Sequence, residues 1–82
     1  MIKSLHTAQY KEFLNLLAAA RSRAGVTQRQ MADRLKITQS SVSKIESGER
    51  RLDVVELHAW CGALGEPFTG FTKALDVKLR RG

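Results

Sequence analysis

The chain has 82 residues, of which 43% are hydrophobic, so it can form one small domain with one core and is too apolar to remain disordered. Its single cysteine excludes an internal disulfide, and the sequence contains neither a signal-peptide pattern nor an apolar run of about eighteen residues that could span a membrane. We therefore expect residues 1–82 to form one cytoplasmic domain. The net charge of +6 favours a polyanionic partner, although a basic surface is also a common means of remaining soluble.

Apolar periodicity predicts the first helix over about residues 7–24. The residues that recur at helical spacing and would face the core are Tyr10, Phe13, Leu14 and Leu17. Gly25 follows as a C-terminal stop, because glycine readily adopts the left-handed conformation that ends many helices.

Two short helices joined by a tight turn are predicted over residues 27–48. The first begins at Thr27, which has the spacing of a capping box with Gln30. The second is capped by Thr38 and ends at Gly48. The residues that face inward are Met31, Leu35, Val42 and Ile45. This pattern is the outline of a helix-turn-helix, which places a polar helix surface against the edges of DNA bases.

Two more helices are predicted after this motif. Asp53 and Glu56 have capping-box spacing at the start of the fourth helix, which stops near residues 65–67. A fifth helix over about residues 69–79 places Phe71, Leu75 and Leu79 four residues apart. Gly70 lowers the helix propensity of this last segment. No segment shows strand alternation, so the sequence predicts an all-α fold of four or five short helices.

The polar face of the third helix is suited to making contacts rather than to simple solvation. At 100° per residue, Val42 and Ile45 define the direction of the core. The side chains that point away from the core are Ser40, Ser43, Lys44 and Ser47, and Gln39 projects from the first turn. Serine is a poor helix former, and a solvated helix more often carries Glu/Lys pairs three or four residues apart. We therefore interpret this face as a contact surface.

Glu46 is predicted to have a partner. Its position on the third helix turns it partly inward, where a lone carboxylate would be costly. Arg21 on the first helix is the candidate, because a planar guanidinium can bind a carboxylate through two hydrogen bonds. The alternative that the sequence leaves open is an exposed glutamate at a helix end.

Several of these positions together resemble the Cro/cI-type helix-turn-helix of phage repressors and xenobiotic-response-element-like (XRE-like) bacterial regulators. The similarity covers about residues 14–65, and its carriers are Arg21, the Thr27-Gln28 start, the small Ala32, Thr38-Gln39-Ser40-Ser41 and Ile45-Glu46-Ser47-Gly48. The resemblance implies a lambda-repressor-like DNA-binding domain with a central helix-turn-helix.

One turn position departs from the family pattern. Lys36 stands where the family usually has glycine. If the backbone there is left-handed, a residue other than glycine costs on the order of 1 kcal/mol. Lys36 could instead widen the turn slightly or place its charge beside a phosphate.

The resemblance also implies how contacts with DNA are divided. The base-reading positions correspond to Gln39, Ser40, Ser43 and Lys44, and the first of these often binds adenine through two hydrogen bonds. The phosphate-binding positions correspond to Gln28, Ser41, Arg50 and Arg51, and the first of these also braces the third helix. Arg21 and Glu46 match a buried ion pair of the family, in agreement with the angular argument.

Other candidate sites receive little support. His58 and Cys61 are three residues apart on the fourth helix, but a metal site normally needs three or four ligands, and only His6 remains. Nothing close to Cys61 in the sequence supplies the acid–base partner that a nucleophile needs, and no Gly-rich phosphate loop occurs. We therefore expect no metal, no cofactor and no enzymatic activity.

The fourth helix is apolar around nearly its whole circumference, so it must be covered on more than one side. The cover is either the C-terminal helix, taken as residues 68–80, or a second copy of the protein. In the family that the chain resembles, the helices after the motif commonly form the dimer contact. The residues for which both roles remain open are Trp60, Phe68, Phe71, Leu75 and Leu79.

The predicted function is a sequence-specific regulator of transcription that binds double-stranded DNA in a bacterial or phage nucleoid. Repression by a homodimer on a palindromic operator is the leading form of this prediction. An antitoxin of a toxin–antitoxin pair, which would add a protein partner, and a restriction–modification controller are alternatives. A protein-interaction module that has lost DNA binding is a further one, but it would show an acidic or apolar third-helix face, which this chain lacks.

Overall fold

The structure is a computed structural model that describes residues 7–81. Residues 1–6 and 82, which include His6 and both ends of the predicted domain, lie outside the described part. Five helices occur within it: α1 (Ala8–Arg23), α2 (Gln28–Leu35), α3 (Gln39–Ser47), α4 (Val54–Leu64) and α5 (Phe68–Arg81). No strand occurs in residues 7–81. The all-α prediction is confirmed, with five helices in this part of the chain.

Side-chain caps start three of these helices at the predicted residues. In the first capping box, Oγ1 of Thr27 accepts from the backbone N of Gln30 at 3.1 Å, and the Gln30 side chain accepts from the Thr27 N at 2.9 Å. Asp53 and Glu56 form the same reciprocal pair at 2.8 and 3.0 Å. Thr38 caps α3 through its side-chain oxygen. Each cap satisfies backbone N–H groups that the first turn of a helix leaves unpaired.

Both helices of the motif end in a left-handed residue. Gly48 ends α3 with a φ of 85°, which glycine adopts without a steric penalty. Lys36 ends α2 with φ 58° and ψ 43°, and the next N–H, that of Ile37, donates to the carbonyl of Ala32 at 3.0 Å. The turn is therefore tight rather than widened, and Lys36 bears a steric cost of about 1–2 kcal/mol.

A single cluster of buried side chains lies between the five helices. Its least exposed large members are Leu17, Met31, Val42, Ile45, Trp60 and Cys61. α3 packs against both α1 and α2, while α4 packs against α2 and α5. The third helix, α3, is thus supported from behind by two helices, which leaves its opposite face open to solvent.

The apolar residues after the motif divide between the core and the surface. Trp60 and Phe71 are buried within the chain, at 0% and 3% exposure, and Phe68 and Leu75 pack partly against the same core. α5 therefore covers one side of α4. Leu79 instead lines an open apolar groove of about 380 Å³ between α1, α4 and α5.

Candidate nucleic-acid interface

The outward face of α3 is the most prominent polar surface of the motif. The side chains of Gln39, Ser40, Ser43 and Lys44 are all exposed on it. On the opposite side of the same helix, Val42 and Ile45 are at most 1% exposed. Within residues 7–81, no hydrogen bond occupies the side chains of the four exposed residues. Their donors and acceptors are therefore available for contacts with another molecule.

The start of α3 is closely braced. The backbone N of Ser41 donates to Oγ1 of Thr38 at 3.0 Å, and the hydroxyls of the two residues lie 2.9 Å apart. The half-buried Ser41 side chain therefore sits at the helix N-terminus, beside backbone N–H groups that carry partial positive charge. Such a position suits a phosphate oxygen.

Glu46 joins three segments of the fold. Its carboxylate accepts from Arg21 through Nε at 2.6 Å and Nη2 at 3.0 Å, and from Nε2 of Gln28 at 3.0 Å. A third nitrogen of the guanidinium, Nη1, donates to the carbonyl of Val26 at 2.8 Å. The side chains of Arg21 and Glu46 are only 18% and 9% exposed, so the alternative of an exposed glutamate does not hold. The network ties α3 to α1 and to the start of α2.

Electrostatics favour the charged form of Arg21. The hydrogen bond from Arg21 to Glu46 raises the pKa of the guanidinium, against the opposing effect of burial and with a further Coulombic contribution from the carboxylate. The amide of Gln28, assigned by resemblance to a phosphate, is engaged here by Glu46. This bond braces α3, as the resemblance implies for Gln28, but Glu46 was not predicted as the partner.

The loop between α3 and α4 carries Arg50 and Arg51, both exposed. Its backbone folds back on α3, because the N–H of Arg50 donates to the carbonyl of Lys44 at 3.1 Å. At its other end Leu52 is buried, and its N–H donates to the hydroxyl of Tyr10 at 3.3 Å. The loop is therefore anchored at both ends, next to the exposed face of α3.

Arg50 has a partner that was not predicted from the sequence. Its Nη2 donates to Oε2 of Glu56, on the first turn of α4, at 2.7 Å. The capping-box role of Glu56 was predicted, but that role uses only one of the two carboxylate oxygens. A basic residue shortly before an acidic first turn was the available signal.

The side chains considered for metal or nucleophilic chemistry do not converge. His58 is exposed and packs against the ring of Phe68, with 5.2 Å between ring centroids, whereas Cys61 is buried. Burial, with a smaller effect of Glu66, raises the pKa of the Cys61 thiol. In residues 7–81, no three His, Cys, Asp or Glu side chains are grouped so that they could hold a metal ion. None of the described helices is long and apolar enough to cross a membrane.

Comparisons with known proteins agree with this geometry. A family model described as a helix-turn-helix domain matches residues 12–67, more than half of the chain. A solved structure described as an XRE-family like protein from Pseudomonas syringae pv. tomato str. DC3000 is 43% identical to this chain and has a TM-score of 0.82. The alignment covers 93% of this chain and 95% of that one. A search of curated proteins finds no significant match. The chain therefore belongs to the XRE-type helix-turn-helix family of DNA-binding transcription regulators.

Proposed function

We propose that the protein is a sequence-specific transcriptional repressor that binds a palindromic operator in double-stranded DNA as a homodimer. The observation that carries this proposal is the exposed face of α3. Its four polar side chains have no partner within residues 7–81, although they stand on a helix that is braced from behind. A polar face held in this way, beside a basic loop, is suited to enter the major groove.

Base reading is assigned to Gln39, Ser40, Ser43 and Lys44. Gln39 lies in the first turn of α3, where its amide can donate and accept at the same time, as the edge of an adenine requires. Lys44 can donate to the acceptors of a guanine, and the serine hydroxyls can pair with either donors or acceptors.

Phosphate contacts are assigned to Gln28, Ser41, Arg50 and Arg51. The Nε2 group of Gln28 carries two hydrogens, so the bond to Glu46 leaves one of them for a phosphate oxygen. Such contacts set the register of the protein on the duplex and carry no sequence information directly. Phosphate contacts from arginine also make the binding constant fall as the salt concentration rises. In a plot of the logarithm of the binding constant against the logarithm of the salt concentration, the slope is about −0.9 for each phosphate neutralised.

The homodimer is proposed to form through the first turn of α4 and the adjoining apolar groove. Val54 and Val55 are 67% and 75% exposed, and Val54 is also on the edge of the groove. Both valines directly follow the loop that carries Arg50 and Arg51. A two-fold contact at this point would therefore place two DNA-binding surfaces side by side, as a palindromic site requires.

The test of the function is selection of bound sites from a pool of random duplexes, followed by affinity measurements over a range of salt concentrations. The expected result is a two-fold-symmetric site with half-sites about one helical turn apart. Arg50 and Arg51 of two protomers predict a log–log salt slope of about −2 to −4, and the slope is shallower where the charge of Arg50 is already partly neutralised. Binding to duplex DNA that does not change with salt, or no enrichment of any site, would overturn the proposal.

The test of the dimer is sedimentation equilibrium of the wild type and of Val55→Lys. The substitution should shift the protein to monomer and weaken operator binding, because it would bury a charge in an apolar contact. Ala19→Lys, at an exposed position on α1, is the matched control with the same change of charge. Equal dissociation by both variants, or by neither, would remove the first turn of α4 from the interface.

A further inference from the structure

Glu56 performs two tasks with one carboxylate. Its Oε1 accepts from the backbone N of Asp53 at 3.0 Å and so completes the cap of α4. Its Oε2 accepts from Nη2 of Arg50 at 2.7 Å. The side chains of Arg50 and Glu56 are 42% and 37% exposed, so this pair lies at the surface, unlike the nearly buried pair of Arg21 and Glu46.

The Glu56 carboxylate and the backbone of Arg50 are each held in place by hydrogen bonds. The cap holds Glu56 on α4, and the N–H groups of Glu49 and Arg50 both donate to the carbonyl of Lys44, at 2.9 and 3.1 Å. The backbone that carries Arg50 is thus fixed to the last turn of α3. The carboxylate therefore stays within reach of a guanidinium that the proposed function assigns to a DNA phosphate.

We propose that Glu56 attenuates the phosphate contact of Arg50 and thereby sets the strength of DNA binding independently of DNA sequence. The inference rests on the proposed function. A phosphate that approaches Arg50 meets a guanidinium already partly neutralised, and it must share or displace the carboxylate, whose own charge repels it. Because phosphate contacts carry no sequence information, the attenuation lowers binding to operator and to random DNA by the same factor.

The decisive variant is Glu56→Gln. Glutamine fills the third helical position of a capping box as well as glutamate does, so the cap of α4 is retained while the charge is lost. Glu66→Gln is the matched control. It makes the same change of charge in another surface pair, with Arg23, and Glu66 follows the C-terminal end of α4, whereas Glu56 lies in the first turn of that helix. Arg50→Ala and the double variant with Glu56→Gln complete the set.

Affinities for the selected operator and for a random duplex are measured by fluorescence anisotropy across salt concentrations, after circular dichroism has shown each variant to be folded. Glu56→Gln is expected to tighten binding to both duplexes by about two- to five-fold for each protomer in contact, the range typical of an exposed ion pair. The log–log salt slope should also steepen, by up to about 0.9 for each protomer. In the Arg50→Ala background most of this gain should be lost, leaving an effect close to that of Glu66→Gln.

Two results would overturn the inference while leaving the proposed function intact. An equal gain with and without Arg50 would show a general charge effect, and weaker binding by Glu56→Gln would show that the carboxylate orients Arg50 for its contact. Failure of the wild type to bind duplex DNA in a salt-dependent manner would instead overturn the proposed function, and the inference with it. Glu56→Ala removes the cap as well as the charge. Comparison of its unfolding and its affinity with those of Glu56→Gln distinguishes a loss of stability from a change in affinity.

Discussion

Replacement of Glu46 by alanine is expected to destabilise the protein by about 3 kcal/mol. The carboxylate accepts three hydrogen bonds, two from Arg21 at 2.6 and 3.0 Å and one from Gln28 at 3.0 Å. Removing one partner of a buried ion pair costs about 3–5 kcal/mol, because the other charge is left without compensation. The exposed fraction of 18% for the Arg21 side chain allows water to recover part of this loss, which places the expected value at the lower end.

A loss of this size is readily measured in a protein of 82 residues. Domains of such a length have a free energy of unfolding of about 4–12 kcal/mol, and 3 kcal/mol corresponds to a fall in Tm of about 12–24 °C. The assay is thermal and urea unfolding at neutral pH, followed by circular dichroism. Glu66→Ala is the control, because its pair with Arg23 spans 3.3 Å and the Arg23 side chain is 64% exposed. Such an exposed pair contributes less than about 1 kcal/mol to the free energy of unfolding.

Two comparisons can refute this reasoning. If Glu46→Ala and Glu66→Ala lower the free energy of unfolding by the same small amount, the Glu46 network contributes no more than a surface contact. Glu46→Gln keeps an acceptor for Arg21 and removes the charge, so it should lose an intermediate amount. A loss equal to that of the alanine variant would refute a contribution from the hydrogen bonds and leave the uncompensated charge of Arg21 as the whole cause.

Three other predictions address separate features of the fold and the interface. Lys36→Gly should raise the free energy of unfolding by about 1 kcal/mol, because glycine adopts the φ of 58° at little cost, whereas Lys36→Ala should leave it nearly unchanged; equal gains would contradict the role of backbone strain. Gln39→Ala should weaken operator binding by about 1–3 kcal/mol in anisotropy titrations, and equal weakening on random DNA would remove Gln39 from base reading. Burial raises the pKa of the Cys61 thiol above its ordinary value of 9.0. The contribution of the neutral thiol to the free energy of unfolding is therefore fully present below pH 9, and it is lost as the pH rises through the higher native pKa. The urea midpoint of the wild type should then fall more steeply above pH 9 than that of Cys61→Ala, and a parallel fall would contradict this linkage.

The helical fold could be predicted because its main signals are local. The capping boxes that begin at Thr27 and Asp53 act over three residues, so their spacing identifies a helix start without knowledge of the tertiary structure. Lys36 shows the limit of such signals. Its side chain gives no sign of a left-handed backbone, and the conformation depends on how α2 and α3 pack across the turn.

The candidate site also has a part that could be predicted from the sequence and a part that could not. The exposed face of α3 follows from helical angles measured from Val42 and Ile45, and the structure places Gln39 and its neighbours on that face. The partners of long polar side chains could not be derived in this way. Gln28 meets Glu46 across 18 residues of sequence, and Arg50 meets Glu56 where the loop that folds back on α3 leads into α4. Such rotamers are selected by tertiary neighbours, which no local pattern specifies.

The Glu46 network also explains how stability and recognition can be kept apart in a small domain. α3 cannot shift against α1 and α2 without breaking the bonds that Glu46 accepts from Arg21 and Gln28. A helix held in this way loses little conformational entropy when it binds, which favours affinity. The residues assigned to base reading, such as Gln39, lie outside the network and contribute little to folding. Substitutions at these positions should therefore change the preferred DNA sequence at constant stability, whereas substitutions of Arg21 or Glu46 should lower stability at constant sequence preference.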